Sequence, residues 1–190
     1  MRAFDVVAAS VLAIATVPVI AICALAIWLE DGGPILYRQT RVGQNGMPFR
    51  MLKLRSMRID AEADGVARWT DAADARVTRI GRFIRRARID ELPQLFNVFR
   101  GEMSLIGPRP ERPAFVDMLS RELSDYAIRH RVKPGITGLA QVRYRYAASI
   151  EDAASKLEYD IEYVVNRSAW LDARILVATV GVVLLGIGAR

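Results

Sequence analysis

The longest feature of the hydrophobic pattern lies at the start of the chain, where Val6 to Leu29, "VVAASVLAIATVPVIAICALAIWL", carries no charged residue. As a helix, this run is long enough to cross about 30 Å of hydrocarbon. A cleaved signal peptide is the competing reading, and "ALA" at 24–26 resembles a cleavage site. The run outlasts the usual apolar stretch of such a peptide, however, and "MRAFD" brings no net positive side-chain charge. Pro18 sits mid-run and predicts a kink, with Thr16 placed to help satisfy the carbonyls it frees. A straight helix would put Arg2 and Asp5 across the membrane from the rest of the chain. A helix bent at Pro18 would keep both ends on one face, and periodicity does not choose between the two.

Beyond this run the pattern turns mixed. "PILYRQTRVGQNGMPFRMLKLRSM" sets two partly apolar segments around "NG" at 45–46 and predicts a β-hairpin. Residues 60 to 78 are polar and alanine-rich, which predicts a loop or a poorly fixed helix. Leu92, Leu95, Phe96 and Phe99 then recur at helical spacing, with Gly101 as the stop. Phe115, Val116, Leu119, Leu123 and Tyr126 share one helical face. A further helix starts at "SIED", where Ser149 and Asp152 have capping-box spacing, and its stripe is Ile150, Ala153, Leu157, Ile161, Val164 and Val165. The tail, Ile175 to Ile187, is apolar but short for a span. Trp170 and Arg174 before it suit a helix lying in the membrane interface, and a buried core helix fits equally well.

Composition narrows the partners. At 190 residues the chain makes one domain with an appendage, and its formal net charge of +6 favours nucleic acid, an acidic membrane surface or a phosphorylated substrate. The lone cysteine, Cys23, excludes a disulfide framework within the chain. Arg38, Arg41, Arg50, Lys53 and Arg55 follow the apolar run, so the positive-inside tendency places the bulk of the chain in the cytoplasm.

The chemistry concentrates in "RRARIDELPQLFNVFRGEMSLIGPRP", residues 85 to 110. Pro93 is tolerable only in a first helical turn, which predicts Asp90 at the N-cap and Glu91 as the first helical residue. The plainer reading is that Asp90 only caps and the arginines only neutralise Glu91. Against it, Arg85, Arg86 and Arg88 with a helix N-terminus make a phosphate-binding environment, and "GPRP" adds Arg109 on a rigid turn. "KPGITG" at 133–138 is a second glycine-flanked loop. Carboxylates for a divalent cation, with cations for phosphate charge, match metal-assisted phosphoryl transfer.

These motifs carry a family resemblance. "KLRSM", "RIDELPQLFNVFRGEMSLIGPRP", "HRVKPGITGLAQV" and "KLEYDIEYVVNRSAWLDARIL" resemble the bacterial sugar transferases, the monotopic phosphoglycosyl transferases, nearly end to end. The resemblance implies transfer of a sugar 1-phosphate from a nucleoside diphosphate sugar, with a UDP-sugar as the leading case, to polyprenyl (undecaprenyl) phosphate. That step begins a surface polysaccharide or glycan. Asp90 matches the proposed nucleophile and Glu91 its partner, and the two together match the Mg2+ site. Arg85 and Arg109 match phosphate-binding arginines, while Lys53 and Arg55 fall on the family's basic "KLRSM"-type motif. Thr137 and Arg145 fall on the "PGITG" segment and the basic residue after it, which the resemblance places near the nucleotide as substrate-binding residues, and Pro18 matches the proline that makes the first helix re-entrant. Leu139 departs from the family, many of whose members have tryptophan there.

The expected architecture is α+β and mainly helical: a re-entrant membrane helix over 1–33, a small cytoplasmic catalytic domain with a short hairpin over 34–168, and an interfacial or membrane-associated helix over 169–190. Its expected place is the cytoplasmic face of the bacterial inner membrane, against membrane lipids. Two other readings stand beside it. A metal-dependent phosphodiesterase would use an activated water. A non-enzymatic binder of acidic lipid or nucleic acid would need no paired acids, and few aromatics lie among the arginines at 76–88, so nucleic acid is not expected. His130, Tyr159 and Tyr163 read as packing residues.

Overall fold

A computed structural model describes residues 2–63, 65, 68, 74–144 and 149–184. In it the apolar run is one helix, α1 (Arg2–Asp31), that passes through Pro18. Its middle is exposed, with Val11, Ile14, Val17 and Ile22 uncovered, while Asp5, Ala9, Cys23 and Ile27 near its two ends are buried. Both ends bond to the same body. Arg2 donates to the carbonyls of Val98 and Phe99, and Asp5 accepts from Ser104 Oγ (2.9 Å) and the Leu105 amide (3.1 Å). At the other end Glu30 accepts from the amides of Arg79 (2.8 Å) and Ile80 (2.9 Å), and Asp31 pairs with Arg55. The expected role of Thr16 is not met. Proline at 18 frees the carbonyl of Ile14, whereas the Thr16 hydroxyl donates to that of Leu12 (2.7 Å).

The hairpin forms as expected. β1 (Leu36–Val42) pairs antiparallel with β2 (Pro48–Leu54), Leu36 opposite Leu54 and Val42 opposite Pro48, with left-handed Asn45 and Gly46 in the turn. Strand periodicity places Phe49, Met51 and Lys53 on one face of β2; Phe49 and Met51 enter the core, and Lys53 continues the face towards the acidic turn. Thr78 caps α2 (Arg79–Arg86) through the Gly81 amide.

In α3 (Gln94–Arg100) the buried side is Gln94, Leu95, Asn97 and Val98. Of the predicted stripe Leu95 is buried, Leu92 and Phe99 are half-buried, and Phe96 is 47% exposed under the Arg100 guanidinium. Asn97 displaces it from the inner face: its Oδ1 accepts from the Leu52 amide (3.0 Å) and its Nδ2 donates to the Arg50 carbonyl (2.8 Å), tying the hairpin to α3. A buried amide so satisfied fixes register where an apolar side chain would only fill space. Gly101, at φ 82°, ends the helix as expected.

The two glycine-flanked loops are joined by a feature that three-residue strands cannot announce through periodicity. β3 (Ser104–Ile106) runs parallel to β4 (Gly135–Thr137). The Gly107 amide donates to the Thr137 carbonyl (2.9 Å) and the Gly135 amide to that of Pro108 (3.0 Å). A Cβ on Gly107 would lie 2.3 Å from the Lys133 carbonyl oxygen, and one on Gly135 2.1 Å from the Gly107 nitrogen, so this approach requires glycine on both strands.

α4 (Pro113–Glu122), a 3-10 turn (Tyr126–Arg131), α5 (Leu139–Arg143), α6 (Ile150–Asn166) and α7 (Ala169–Leu184) complete the domain. Ser149 Oγ accepts from the Asp152 amide (3.1 Å), capping α6 as the sequence predicts. Its buried face is Leu157, Asp160 and Tyr163; Ile150 and Val165, predicted on the stripe, are exposed. Tyr163 packs fully buried and donates to Asp172 (2.9 Å). α7 packs through Asp172 and Ile175 and exposes Trp170, Val177 and Val180. The molecule is mainly helical, with one short antiparallel hairpin and one long apolar N-terminal helix.

Candidate active site

Asp90 and Glu91 stand in a 3-10 turn, Ile89–Glu91, and not at the head of α3. The expected capping role fails, because α3 begins only at Gln94, after Pro93, and no side chain caps it. Arg88 enters the turn in the left-handed region, φ 58°. For a residue other than glycine this costs roughly 1 kcal/mol or more and persists only where the surroundings impose it. The reading of Asp90 as a simple cap is thereby removed.

The adjacent acids meet opposite conditions. Glu91 Oε1 accepts from Arg109 Nη2 (2.5 Å) and Lys53 Nζ (3.2 Å), and its Oε2 from Arg109 Nη1 (3.2 Å). Burial by itself would raise its pKa, but Arg109 and Lys53 outweigh it and hold the carboxyl well below the usual range. Among the described residues the Asp90 carboxylate accepts no hydrogen bond. Burial raises its pKa, with nearby Lys53 opposing and Glu91 adding to the rise. One carboxylate is therefore fixed as a structural anion, while the other is kept buried and uncommitted.

A cavity of about 650 Å³ opens over the turn, lined by Asp90, Lys53, Arg55, Arg85 and Arg109 among others. Arg85, in the last turn of α2, lines the cavity and has no ion pair among the described residues. Arg55 also lines the cavity, but its guanidinium pairs with Asp31 (3.4 Å) and donates to the Gly32 carbonyl, so it also anchors the end of α1. Thr137 lies elsewhere: its hydroxyl hydrogen-bonds that of Thr179 in α7 (2.7 Å), away from the cavity. Arg145 lies outside the described residues.

Sequence reasoning missed the group that holds Arg109. Arg129, 6% exposed, binds Asp160 through Nε (2.9 Å) and Nη2 (2.7 Å), donates to the Tyr126 hydroxyl (3.0 Å), and donates from Nη2 to the Arg109 carbonyl (2.7 Å). The turn whose side chain fixes Glu91 is thus itself fixed from behind. A signal was present: Asp160 lies three residues after Leu157 and three before Tyr163, a charge on a core-facing stripe, which demands a buried partner. His130, next to Arg129, lies edge-on to Tyr126 and outside the cavity; burial pushes its pKa down to about 4.

Among the described residues, no three or more His, Cys, Asp or Glu side chains group to hold a metal ion. A cation here would take one or two carboxylate oxygens and complete its shell with phosphate and water, a donor set that suits Mg2+. Of the pair, Asp90 has the open oxygens.

The structure thus joins a buried acidic turn ringed by arginines to an apolar helix long enough by length and composition to cross a membrane. The chain belongs to the bacterial sugar transferase family, whose model matches residues 1–186. It is 47% identical over its whole length to an Aeromonas hydrophila protein named UDP-N-acetylgalactosamine-undecaprenyl-phosphate N-acetylgalactosaminephosphotransferase, of which it spans 44%. It is 46% identical over 94% of its length to the UDP-glucose:undecaprenyl-phosphate glucose-1-phosphate transferase of Caulobacter vibrioides, spanning 67% of that protein. The Escherichia coli protein of the same name is 41% identical over 94% of the chain, which spans 39% of it. The chain therefore spans less than half the length of the Aeromonas and Escherichia relatives.

Proposed function

We propose that the protein transfers a sugar 1-phosphate from a UDP-sugar to polyprenyl phosphate through a covalent aspartyl intermediate. The observation that carries the reading is the Asp90 carboxylate, buried, without a hydrogen bond among the described residues and facing a cavity lined by Lys53, Arg85 and Arg109. An Asp90 oxygen attacks the phosphorus bearing the sugar, and the bond to the nucleotide oxygen breaks, releasing UMP with the bonding pair. A phosphate oxygen of the lipid then attacks the same phosphorus and returns the carboxylate. A carboxylate approaching a diphosphate meets like charge, and Arg85, Arg109 and Lys53 lower that barrier. Asp90, with Glu91 beside it, would hold Mg2+, which neutralises developing phosphate charge when bound.

The reading includes a re-entrant α1. Support comes from its two ends, since Arg2 and Asp5 bond to α3 and β3 while Glu30 and Asp31 bond to α2 and Arg55. A straight helix of this length would run about 45 Å and part those ends across a bilayer. The bent form lets the exposed middle of α1 sit in lipid, with the catalytic domain on the cytoplasmic face of the inner membrane. There the reaction would begin assembly of a surface polysaccharide or glycan. The test is dependence on the acceptor: nucleotide release should continue only while polyprenyl phosphate is supplied. Sustained release without lipid would make the protein a phosphodiesterase.

A further inference from the structure

The cavity extends past the acidic turn to a second wall, built by α4, the Tyr126–Arg131 turn and α6, that the phosphate chemistry does not use. Phe115, Leu119, Ala153 and Leu157 make this wall apolar. Lys156 lines it as well, with no ion pair among the described residues. Its two acidic neighbours are committed elsewhere, Glu111 to Arg41 (3.3 Å) and Asp160 to Arg129 (2.7 Å). Burial lowers the Lys156 pKa, with Glu111 opposing and Arg109 adding to the fall. A desolvated ammonium without a partner is costly, and a ligand that brings an acceptor oxygen removes the cost.

We propose that this wall is the nucleobase subsite of the donor, with the pyrimidine ring packed on the apolar side chains and a ring carbonyl accepting from Lys156 Nζ. The inference rests on the transferase reading. A flat ring with apolar faces and carbonyls on its edge suits a slot offering hydrophobic walls and one strong donor. Sugar hydroxyls need several donors and acceptors together, and the hydroxyls here already hold partners: that of Tyr126 accepts from Arg129 and that of Ser149 caps α6. A phosphate on this wall would meet one uncommitted cation among the described residues, whereas Arg85, Lys53 and Arg109 converge at the dyad.

The test compares Lys156→Met with the unmutated chain, using UDP-glucose and UDP-N-acetylgalactosamine as donors and UMP and inorganic pyrophosphate as inhibitors. The expected result is a KM raised about tenfold by the same factor for both donors, in line with loss of one charge-assisted bond. UMP inhibition should weaken by that factor, inhibition by pyrophosphate should stay the same, and Lys156→Arg should restore UMP binding. Unchanged UMP inhibition overturns the proposal, as does equal weakening of pyrophosphate or a loss confined to one sugar. Should Lys156→Met prove unfolded by its melting curve, Phe115→Ala must show the same split between UMP and pyrophosphate. Absence of any lipid-dependent UMP release by the unmutated chain would instead sink the transferase reading, and the subsite with it.

Discussion

Replacing Arg129 by methionine tests whether the group behind Arg109 serves the fold or the site. Asp160, 3% exposed, would be left buried without its paired guanidinium. Removing one partner of a buried pair costs roughly 3–5 kcal/mol. For a domain of this size, that lowers the melting temperature by about 6–20 °C. The double variant Arg129→Met/Asp160→Leu takes away both charges and should recover most of that loss, because apolar replacement of a buried pair is near neutral. Activity should not recover with it. The Arg109 carbonyl has lost its 2.7 Å donor, so the 107–110 turn can shift the guanidinium that holds Glu91. A charge-assisted hydrogen bond contributes roughly 1.5–3 kcal/mol, so kcat/KM should stay about ten- to a hundredfold low. Melting curves in detergent and UMP release on the same preparations give both readings. A double variant that regains stability and activity together would show that Arg129 is only the counter-ion of Asp160.

Three further outcomes follow from particular contacts. Because burial raises the Asp90 pKa, its ionised form is the costly one, and that cost sets in as pH rises through the ordinary value near ~3.9 and persists at pH 7. Asp90→Asn should therefore melt no lower than the unmutated protein at pH 7 while losing turnover; a melt several degrees lower would make the carboxylate structural. Gly107→Ala and Gly135→Ala should each destabilise by at least roughly 1–3 kcal/mol, since their Cβ atoms would lie 2.3 Å and 2.1 Å from backbone atoms; a chemical melt that does not move would contradict the β3–β4 approach. In a Cys23→Ser background, cysteines at positions 2 and 38 should both resist an impermeant thiol reagent in intact cells, and Pro18→Ala should expose position 2 or lower activity. Labelling of position 2 with proline still in place would establish a full span.

The sequence made some of this legible and hid the rest for identifiable reasons. The hairpin at Asn45–Gly46, the Ser149 cap and the Gly101 stop follow from local chemistry, which one chain segment states by itself. Asp90 and Glu91 were visible as a pair, but the left-handed turn at Arg88 that sets them ahead of α3 depends on tertiary packing, so the cap was misplaced. The stripe of α3 slipped because Asn97, a polar residue, holds an inward position through bonds to β2, 45 residues or more away. The β3–β4 pair is too short for any pattern, and its signal was only that two glycine-flanked loops existed. Arg129 was hidden among ordinary basic residues, and only its meeting with Asp160 distinguishes it.

The most direct measurement is intact-protein mass after the unmutated chain is mixed with a UDP-sugar and magnesium but no lipid acceptor. A gain of one sugar-phosphate, mapped to Asp90 and matched by one equivalent of UMP, is the predicted result. An adduct on another residue, or continued UMP release with no adduct, would contradict the covalent aspartate.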